Sequence, residues 1–185
     1  MPFPRRTFQG LSVLVLVFSL AWILGTKSQP GQAGINQTAA PQKGFLAPDF
    51  EAETPTGEAI SLSGFRGSPV ILNLWASWCP PCREEMPALE RVYADYKEDG
   101  LVIIGLHMTA QDSRQAAIDF IDQNQLSFQF LLDTTGEVSR KYRAQALPTT
   151  FFIGSDGVIR DMIVGGPITE SVFRAQAENL IKGNP

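Results

Sequence analysis

Apolar and polar residues follow three different patterns along this chain of 185 residues. Residues 8–25 contain no charged side chain, whereas residues 27–44 are rich in Gly, Gln, Ala and Pro. From residue 45 onward, short continuous apolar runs alternate with segments whose apolar residues recur every three or four positions. These patterns predict a transmembrane anchor or signal over 1–26, a flexible linker over 27–44 and one folded domain over 45–185.

Within the folded domain, continuous apolar runs predict strands that are buried on both faces. The clearest are Val70–Trp75 and Leu101–Leu106, and a turn at Ser155–Gly157 predicts a hairpin between two later strands. Helical periodicity predicts helices over 81–97, 113–125, 137–142 and 169–182. With a hairpin near Gly57 and a strand over Phe128–Asp133, the order β-β-β-α-β-α-β-α-β-β-α predicts an α/β sandwich with parallel central strands.

The apolar segment 8–25 follows two arginines, Arg5 and Arg6. As a helix it would rise about 27 Å, close to the thickness of a hydrocarbon core. Residues 24–27 offer no good cleavage site for a signal peptide, but small residues further along leave cleavage open. The arginines favour a cytoplasmic N-terminus, so the folded domain is expected outside the cytoplasm.

Charge is distributed unevenly between the N-terminal part and the rest. Residues 1–48 hold four basic residues and no acidic one, and the remaining 11 basic and 19 acidic residues carry a formal charge of −8. Nucleic-acid binding requires a cationic surface, so the composition argues against a nucleic-acid partner.

The two cysteines of the chain, Cys79 and Cys82, lie within the segment NLWASWCPPCREEMP. A zinc site takes about four ligands, and the one histidine, His107, is the only addition to the two thiols. A structural disulfide stabilises mainly by closing a long loop, and a two-residue spacer closes almost none. A redox-active dithiol is therefore favoured over a zinc site or a structural disulfide.

Cys79 lies just past the end of the predicted strand Val70–Trp75, at the start of a predicted helix. Unpaired backbone N–H groups and the helix dipole stabilise a thiolate at that position. Cys82 lies within the first turn, so Cys79 is predicted to be the attacking thiol and Cys82 the more buried resolving thiol. Pro80 and Pro81 have no backbone N–H, which the first helical turn tolerates.

The motif WCPPC after an apolar strand, together with LPTTFF at 147–152, resembles the motifs of thioredoxin-fold proteins. APDF at 47–50, LSGFRG at 62–67 and a long insert before the late proline are similar to the membrane-anchored TlpA/ResA-like family. The resemblance covers about residues 46–182. It implies a thioredoxin-like three-layer sandwich, whose central mixed sheet carries an extra N-terminal β-hairpin and a central helix–strand insertion.

The resemblance also implies roles for individual residues. Pro148 would be a cis-proline that faces the disulfide, and the Leu147 backbone and Gly165 would line the groove for an extended substrate segment. Glu85, one helical turn after Cys82, would exchange protons with that thiol.

Other residues near the motif receive simpler interpretations. Trp78 would shield the disulfide and contact partners. Asn73 occupies the position of a buried aspartate in thioredoxin and cannot titrate, which transfers the acid–base role to Glu85. The remaining residues are interpreted as two packing side chains and one surface carboxylate: Trp75, His107 and Glu84.

The expected function is extracytoplasmic thiol-disulfide exchange without a metal or organic cofactor. The resemblance implies reduction of protein disulfides, for example those of apocytochrome c in cytochrome c maturation, and a transmembrane electron donor of CcdA or DsbD type.

Three alternative functions remain open. A disulfide oxidase would use the same residues in reverse. A peroxiredoxin-like thiol peroxidase would need a threonine three residues before Cys79, where this chain has Ala76. A chaperone or binding module would use the groove near Pro148 without turnover.

Overall fold

The computed structural model describes residues 38–183, which fold around a seven-stranded mixed sheet. The strands are β1 (Glu51–Glu53), β2 (Ala59–Ser61), β3 (Val70–Trp75), β4 (Val102–His107), β5 (Gln129–Leu132), β6 (Thr149–Ile153) and β7 (Ile159–Val164). The helices are α1 (Pro80–Tyr96), α2 (Arg114–Gln123), α3 (Glu137–Lys141) and α4 (Glu170–Ile181). The order of elements predicted from the sequence is confirmed.

The sheet is parallel at its centre and antiparallel toward both edges. Its strand order is β2-β1-β5-β4-β3-β6-β7. Strand β4 pairs in parallel with β3 and β5, whereas β6 pairs antiparallel with β3 and β7. The hairpin β1–β2 extends the sheet beyond β5, and α2 and β5 form the insertion between β4 and α3. The expected hairpin and insertion are therefore confirmed.

Side chains of the central strand alternate between two cores, as the period of a strand requires. Ile71 and Trp75 of β3 belong to the core that also contains residues of α1, α2 and α4. Leu72 and Leu74 belong to the opposite core, which contains Val138 of α3. Helices thus cover both faces of the sheet, which explains the continuous apolar run in β3 and makes the domain a three-layer α/β sandwich.

The folded part begins earlier than residue 45. The amide of Ala40 donates to the carbonyl of Leu46, and the amide of Gly44 donates to the carbonyl of Ile159 at the start of β7. Pro41 is buried. Their composition, with few large apolar residues, predicts residues 38–44 as part of the linker, but backbone hydrogen bonds, which composition does not reveal, attach them to the domain.

The predicted anchor or signal over 1–26 and residues 27–37 of the predicted linker lie outside the described residues. Between Thr38 and Gly183, none of the helices is both long enough and apolar enough to cross a membrane.

Candidate active site

The two cysteines form a disulfide at the N-terminus of α1. Cys79 is the N-cap of this helix, and its Sγ accepts a hydrogen bond of 3.3 Å from the amide of Cys82. Cys79 is 3% exposed and Cys82 is fully buried. The sulfur of Cys79 thus lies where a helix N-terminus stabilises negative charge, at the carboxyl end of β3.

Trp78 is the exposed residue beside the disulfide. Its side chain is 56% exposed, and its indole N–H donates to the carbonyl of Gln111 over 3.3 Å. Trp75, by contrast, is fully buried and packs against Phe120 and Phe130, as predicted. Trp78 therefore presents an apolar surface next to the reactive sulfur, where a partner protein can contact it.

The loop before β6 carries the predicted cis-proline. The Leu147–Pro148 peptide bond is cis, and Thr149, the next residue, pairs with Leu74 at the end of β3. The carbonyl of Pro148 accepts a hydrogen bond of 2.8 Å from the amide of Gly165. Leu147, Pro148 and Gly165 therefore lie together at the end of the sheet that carries the disulfide, as the resemblance implies.

Gly166 makes a closer approach to the site than Gly165. A Cβ atom on Gly166 would lie 2.7 Å from Cγ of Pro148 and 2.8 Å from Oε2 of Glu85. No side chain fits at this position, so Gly166 allows the cis-proline loop and the Glu85 carboxylate to pack together. The sequence analysis did not single out Gly166, although the Gly-Gly-Pro segment at 165–167 marks a tight backbone.

Glu85 is buried, with 1% of its surface exposed. Its Oε1 accepts a hydrogen bond of 2.7 Å from Nδ2 of Asn73, and its Oε2 accepts one of 2.8 Å from the amide of Ile168. Nδ2 of Asn73 also donates to Oγ1 of Thr150 over 2.9 Å. We call Asn73, Glu85, Thr150 and Ile168 the Glu85 cluster.

Burial dominates the ionisation of Glu85. Removal of the carboxylate from water raises its pKa from 4.5 to about 7, against the smaller lowering by the hydrogen bonds from Ile168 and Asn73. A carboxyl group with this pKa both accepts and releases a proton near neutral pH. Glu85 lies three residues after Cys82 on α1, at a helical spacing of about 5–6 Å between Cβ atoms.

A second polar cluster holds the backbone just before Cys79. Oδ2 of Asp112 accepts hydrogen bonds of 2.6 Å from the amide of Ser77 and 2.9 Å from Nε2 of His107. Nδ1 of His107 lies 2.9 Å from Oγ1 of Thr109. We call Ser77, His107, Thr109 and Asp112 the Asp112 cluster. It fastens the loop after β3 to the loop after β4.

Neither ionisable group of the Asp112 cluster is poised to change charge near neutral pH. Burial lowers the pKa of His107 and outweighs the opposing effect of Asp112. Burial also acts to raise the pKa of Asp112, but hydrogen bonds from Ser77, Ser113 and His107 together lower it. His107 is thus a buried packing residue, as predicted, and its Nε2–H donates to an ionised carboxylate. The sequence gives Asp112 no role in the site, because its partner Ser77 lies 35 residues away along the chain.

Among residues 38–183, no three His, Cys, Asp or Glu side chains lie close enough together to hold a metal ion. Of the residues singled out in the sequence, the disulfide, Trp78, the cis-proline loop and Glu85 lie at one end of the sheet. Glu84 is exposed and does not belong to this group. The catalytic and binding roles of these residues stay predictions.

Residues 44–162, more than half of the chain, match the AhpC/TSA family. The chain belongs to the AhpC/TSA family. Thioredoxin-like protein YneN of Bacillus subtilis (strain 168) is 35% identical over 162 residues, which cover 87% of this chain and 91% of that protein. Thiol-disulfide oxidoreductase ResA of the same strain is 32% identical over 179 residues, which cover 96% and 94% of the two chains.

A solved structure is also similar to this protein in both fold and sequence. The crystal structure of StoA from Bacillus subtilis aligns with a TM-score of 0.62 and 31% identity, over 70% of this chain and 96% of StoA. With these relatives and a disulfide in the Cys-x-x-Cys motif, this member of the AhpC/TSA family is a thiol-disulfide oxidoreductase of thioredoxin-like fold.

Proposed function

We propose that this protein is an extracytoplasmic reductase of protein disulfides, attached to the membrane by residues 1–26. Its substrates would be thiol proteins such as apocytochrome c, and it would be reduced again by a transmembrane electron donor of CcdA or DsbD type. The likeness to ResA over almost the whole chain supports the class of reaction. The arginines before the apolar segment support the location.

The surroundings of the two sulfurs support the reductive direction. Pro80 and Pro81 occupy the first two positions of α1 and have no N–H, so the amide of Cys82 is the first of this helix able to donate to Cys79. The buried carboxyl of Glu85 adds negative charge near the second sulfur when it ionises. Both features limit the stabilisation of the thiolate form, and a couple whose reduced form is weakly stabilised is a reductant.

In the proposed reaction the thiolate of Cys79 attacks a substrate disulfide. A mixed disulfide forms, and one substrate sulfur leaves as a thiolate. Glu85, as carboxylate, accepts the proton of Cys82, whose thiolate then attacks Sγ of Cys79. This step closes the Cys79–Cys82 disulfide, releases the second substrate sulfur and completes the transfer of two electrons to the substrate. The burial of the Glu85 carboxyl group, which raises its pKa to about 7, is the observation on which this assignment rests.

The reduction potential of the Cys79–Cys82 couple tests the direction. We expect a value nearer to about −270 mV, as in thioredoxin, than to about −120 mV, as in DsbA. A strongly oxidising potential would indicate a disulfide oxidase instead. Consumption of peroxide with dithiothreitol as electron source would indicate the peroxidase alternative.

Protease accessibility of the domain in intact spheroplasts tests the location, because a cytoplasmic domain would be protected.

A further inference from the structure

A cavity of about 380 Å³ lies beside the active site, at the ends of β4 and α3. Residues after β4, residues of α3 and residues before the cis-proline line it: Met108, Ala110, Gln111, Gly136, Ser139, Arg140, Arg143, Ala144 and Gln145. The carbonyl of Gln111 accepts the hydrogen bond from the indole of Trp78. Gln145 precedes Leu147 by two residues. The cavity therefore adjoins both Trp78 and the loop expected to pair with substrate.

Two arginines give this cavity a positive charge. Arg140 and Arg143 are exposed, and within residues 38–183 neither forms an ion pair. Residues 1–37 contain no Asp or Glu that could pair with them. The nearby carboxylate of Asp133 is buried and accepts hydrogen bonds from the amides of Val138 and Ser139. Of the other ten Lys and Arg residues in the described range, five form ion pairs with acidic side chains (Arg91, Arg114, Arg160, Arg174 and Lys182) and five form none (Lys43, Arg66, Arg83, Lys97 and Lys141).

Arg143 occupies a central position among these groups. It also lines a second cavity of about 270 Å³, whose walls include the exposed apolar side chains of Met162 and Val164 on β7. Arg143 and Gln145, on the segment that leads into the cis-proline loop, line both cavities. An extended polypeptide bound along this segment would encounter apolar surface at β7 and a guanidinium at Arg143.

The backbone of Arg143 adopts a conformation that favours glycine. Its φ is +51°, and the amide of Ala144 donates to the carbonyl of Ser139, as after the end of a helix. Gln125 has a φ of +53° in the same position after α2. Glycine at either position would relieve this backbone strain, so Arg143→Gly removes the guanidinium without an expected loss of stability.

We propose that Arg143, assisted by Arg140, binds a carboxylate side chain of the substrate polypeptide close to its reactive disulfide. The inference rests on the proposed function and names its substrate class. Residues 49–185 carry a formal charge of −8, so an acidic segment would be attracted to the guanidinium groups of Arg140 and Arg143 and repelled by the acidic surface around them. Arg143 lies four residues before Leu147, in the loop expected to pair with the substrate. The carboxylate is therefore expected about three to five residues from the cysteine under attack.

Peptides with an intrachain Cys-x-x-Cys disulfide test this proposal. In the first set, three peptides carry Glu, Gln or Lys four residues before the first cysteine. In the second set, the same three residues lie four residues after the last cysteine. The full-length protein reduces each peptide with dithiothreitol as electron source, and kcat/KM is measured at low and high salt. An exposed ion pair predicts a preference of about two- to fivefold for Glu over Gln in one set, weaker at high salt, and discrimination against Lys.

The variants assign this preference to Arg143. The ratio of kcat/KM for the Glu and Gln peptides should fall toward one in Arg143→Gly and persist in Arg143→Lys. Gln125→Gly is the matched control, because it makes the same backbone change far from the cavity and should keep the preference. Thermal melts establish that each variant is folded. Equal rates for the Glu and Gln peptides, or a preference that survives in Arg143→Gly, would overturn the inference alone. If the protein reduced none of the peptides, the proposed function would be overturned as well.

Discussion

Two polar clusters lie on either side of β3 at its active-site end, and the pKa values of their carboxyl groups are shifted in opposite directions. In the Glu85 cluster, burial raises the pKa of the carboxyl to about 7. In the Asp112 cluster, hydrogen bonds lower the pKa of the carboxyl below its usual value. The first cluster lies toward β6 and the cis-proline, and the second lies toward β4.

The number of donors and the depth of burial explain this difference. Glu85 is 1% exposed and accepts hydrogen bonds from two N–H groups, those of Asn73 and Ile168. The side chain of Asp112 is 8% exposed and accepts from three, those of Ser77, Ser113 and His107. The additional donors, among which the hydrogen bonds from Ser77 lower the pKa most, and partial hydration stabilise the carboxylate form of Asp112. The same functional group thus has a pKa near neutral pH in one cluster and remains an ionised hydrogen-bond acceptor in the other.

Substitution of Glu85, the proposed proton acceptor of Cys82, should have the largest effect. Glu85→Gln is expected to slow the resolution of a mixed disulfide by Cys82 about a hundredfold near pH 7, because the thiol loses its proton acceptor. The free Oδ1 of Asn73 can accept from the new amide after the Asn73 side chain rotates. Rapid-mixing kinetics on a preformed mixed disulfide at Cys79 measures this step between pH 5 and 9. Glu84→Gln, an exposed neighbour, is the control; an equal loss in that variant would contradict the assignment.

The stability of the oxidised protein should also depend on pH through Glu85. The folded pKa of about 7 lies above the ordinary value of 4.5, so the folded state binds the proton more tightly than the unfolded state. The resulting stabilisation is complete below pH 4.5 and is lost as the pH rises through 7, with an amplitude of about 3 kcal/mol. Denaturant unfolding at pH 5 and pH 8, compared with Glu85→Gln, isolates this contribution from that of other carboxylates. Parallel pH profiles in the two proteins would refute it.

Removal of the Asp112 carboxylate should reduce stability by a smaller amount. Asp112→Ala leaves the amide of Ser77 and Nε2 of His107 without their acceptor, at an expected cost of about 2 kcal/mol in the free energy of unfolding. Asp122→Ala, at an exposed position of the same helix region, should change it by less than about 0.5 kcal/mol. Chemical denaturation at pH 7 compares the two variants. Similar stabilities would show that Asp112 does not anchor the loop.

The smallest expected effect concerns His107, whose protonation should not change between pH 7 and 8. Burial lowers its pKa below the ordinary value of 6.5, so the imidazole should stay neutral between pH 7 and 8 and carry no pH dependence there. His107 is the one histidine of the chain, so its ring resonances are readily assigned by NMR. A titration midpoint at or above 6.5 would contradict the lowered pKa of His107.

Local patterns in the sequence were sufficient to predict much of this arrangement. The buried strand β3, the helix α1 that follows it and the positions of Cys79 and Cys82 depend on residues close together in the chain. The cis-proline and the proximity of Leu147 and Gly165 to it came from the resemblance to known motifs. The start of the folded part was placed too late, because the hydrogen bonds of residues 38–44 involve backbone groups that any sequence possesses.

The chain's own order of residues specified the redox pair, since residues three apart at a helix start are neighbours in any fold that forms that helix. The ionisation of the groups around the pair depended on tertiary contacts. Glu85 meets Ile168, 83 residues away, and Asp112 meets Ser77, 35 residues away. A pKa depends on desolvation and on the donors that surround a group, and both exist only after distant segments have packed together.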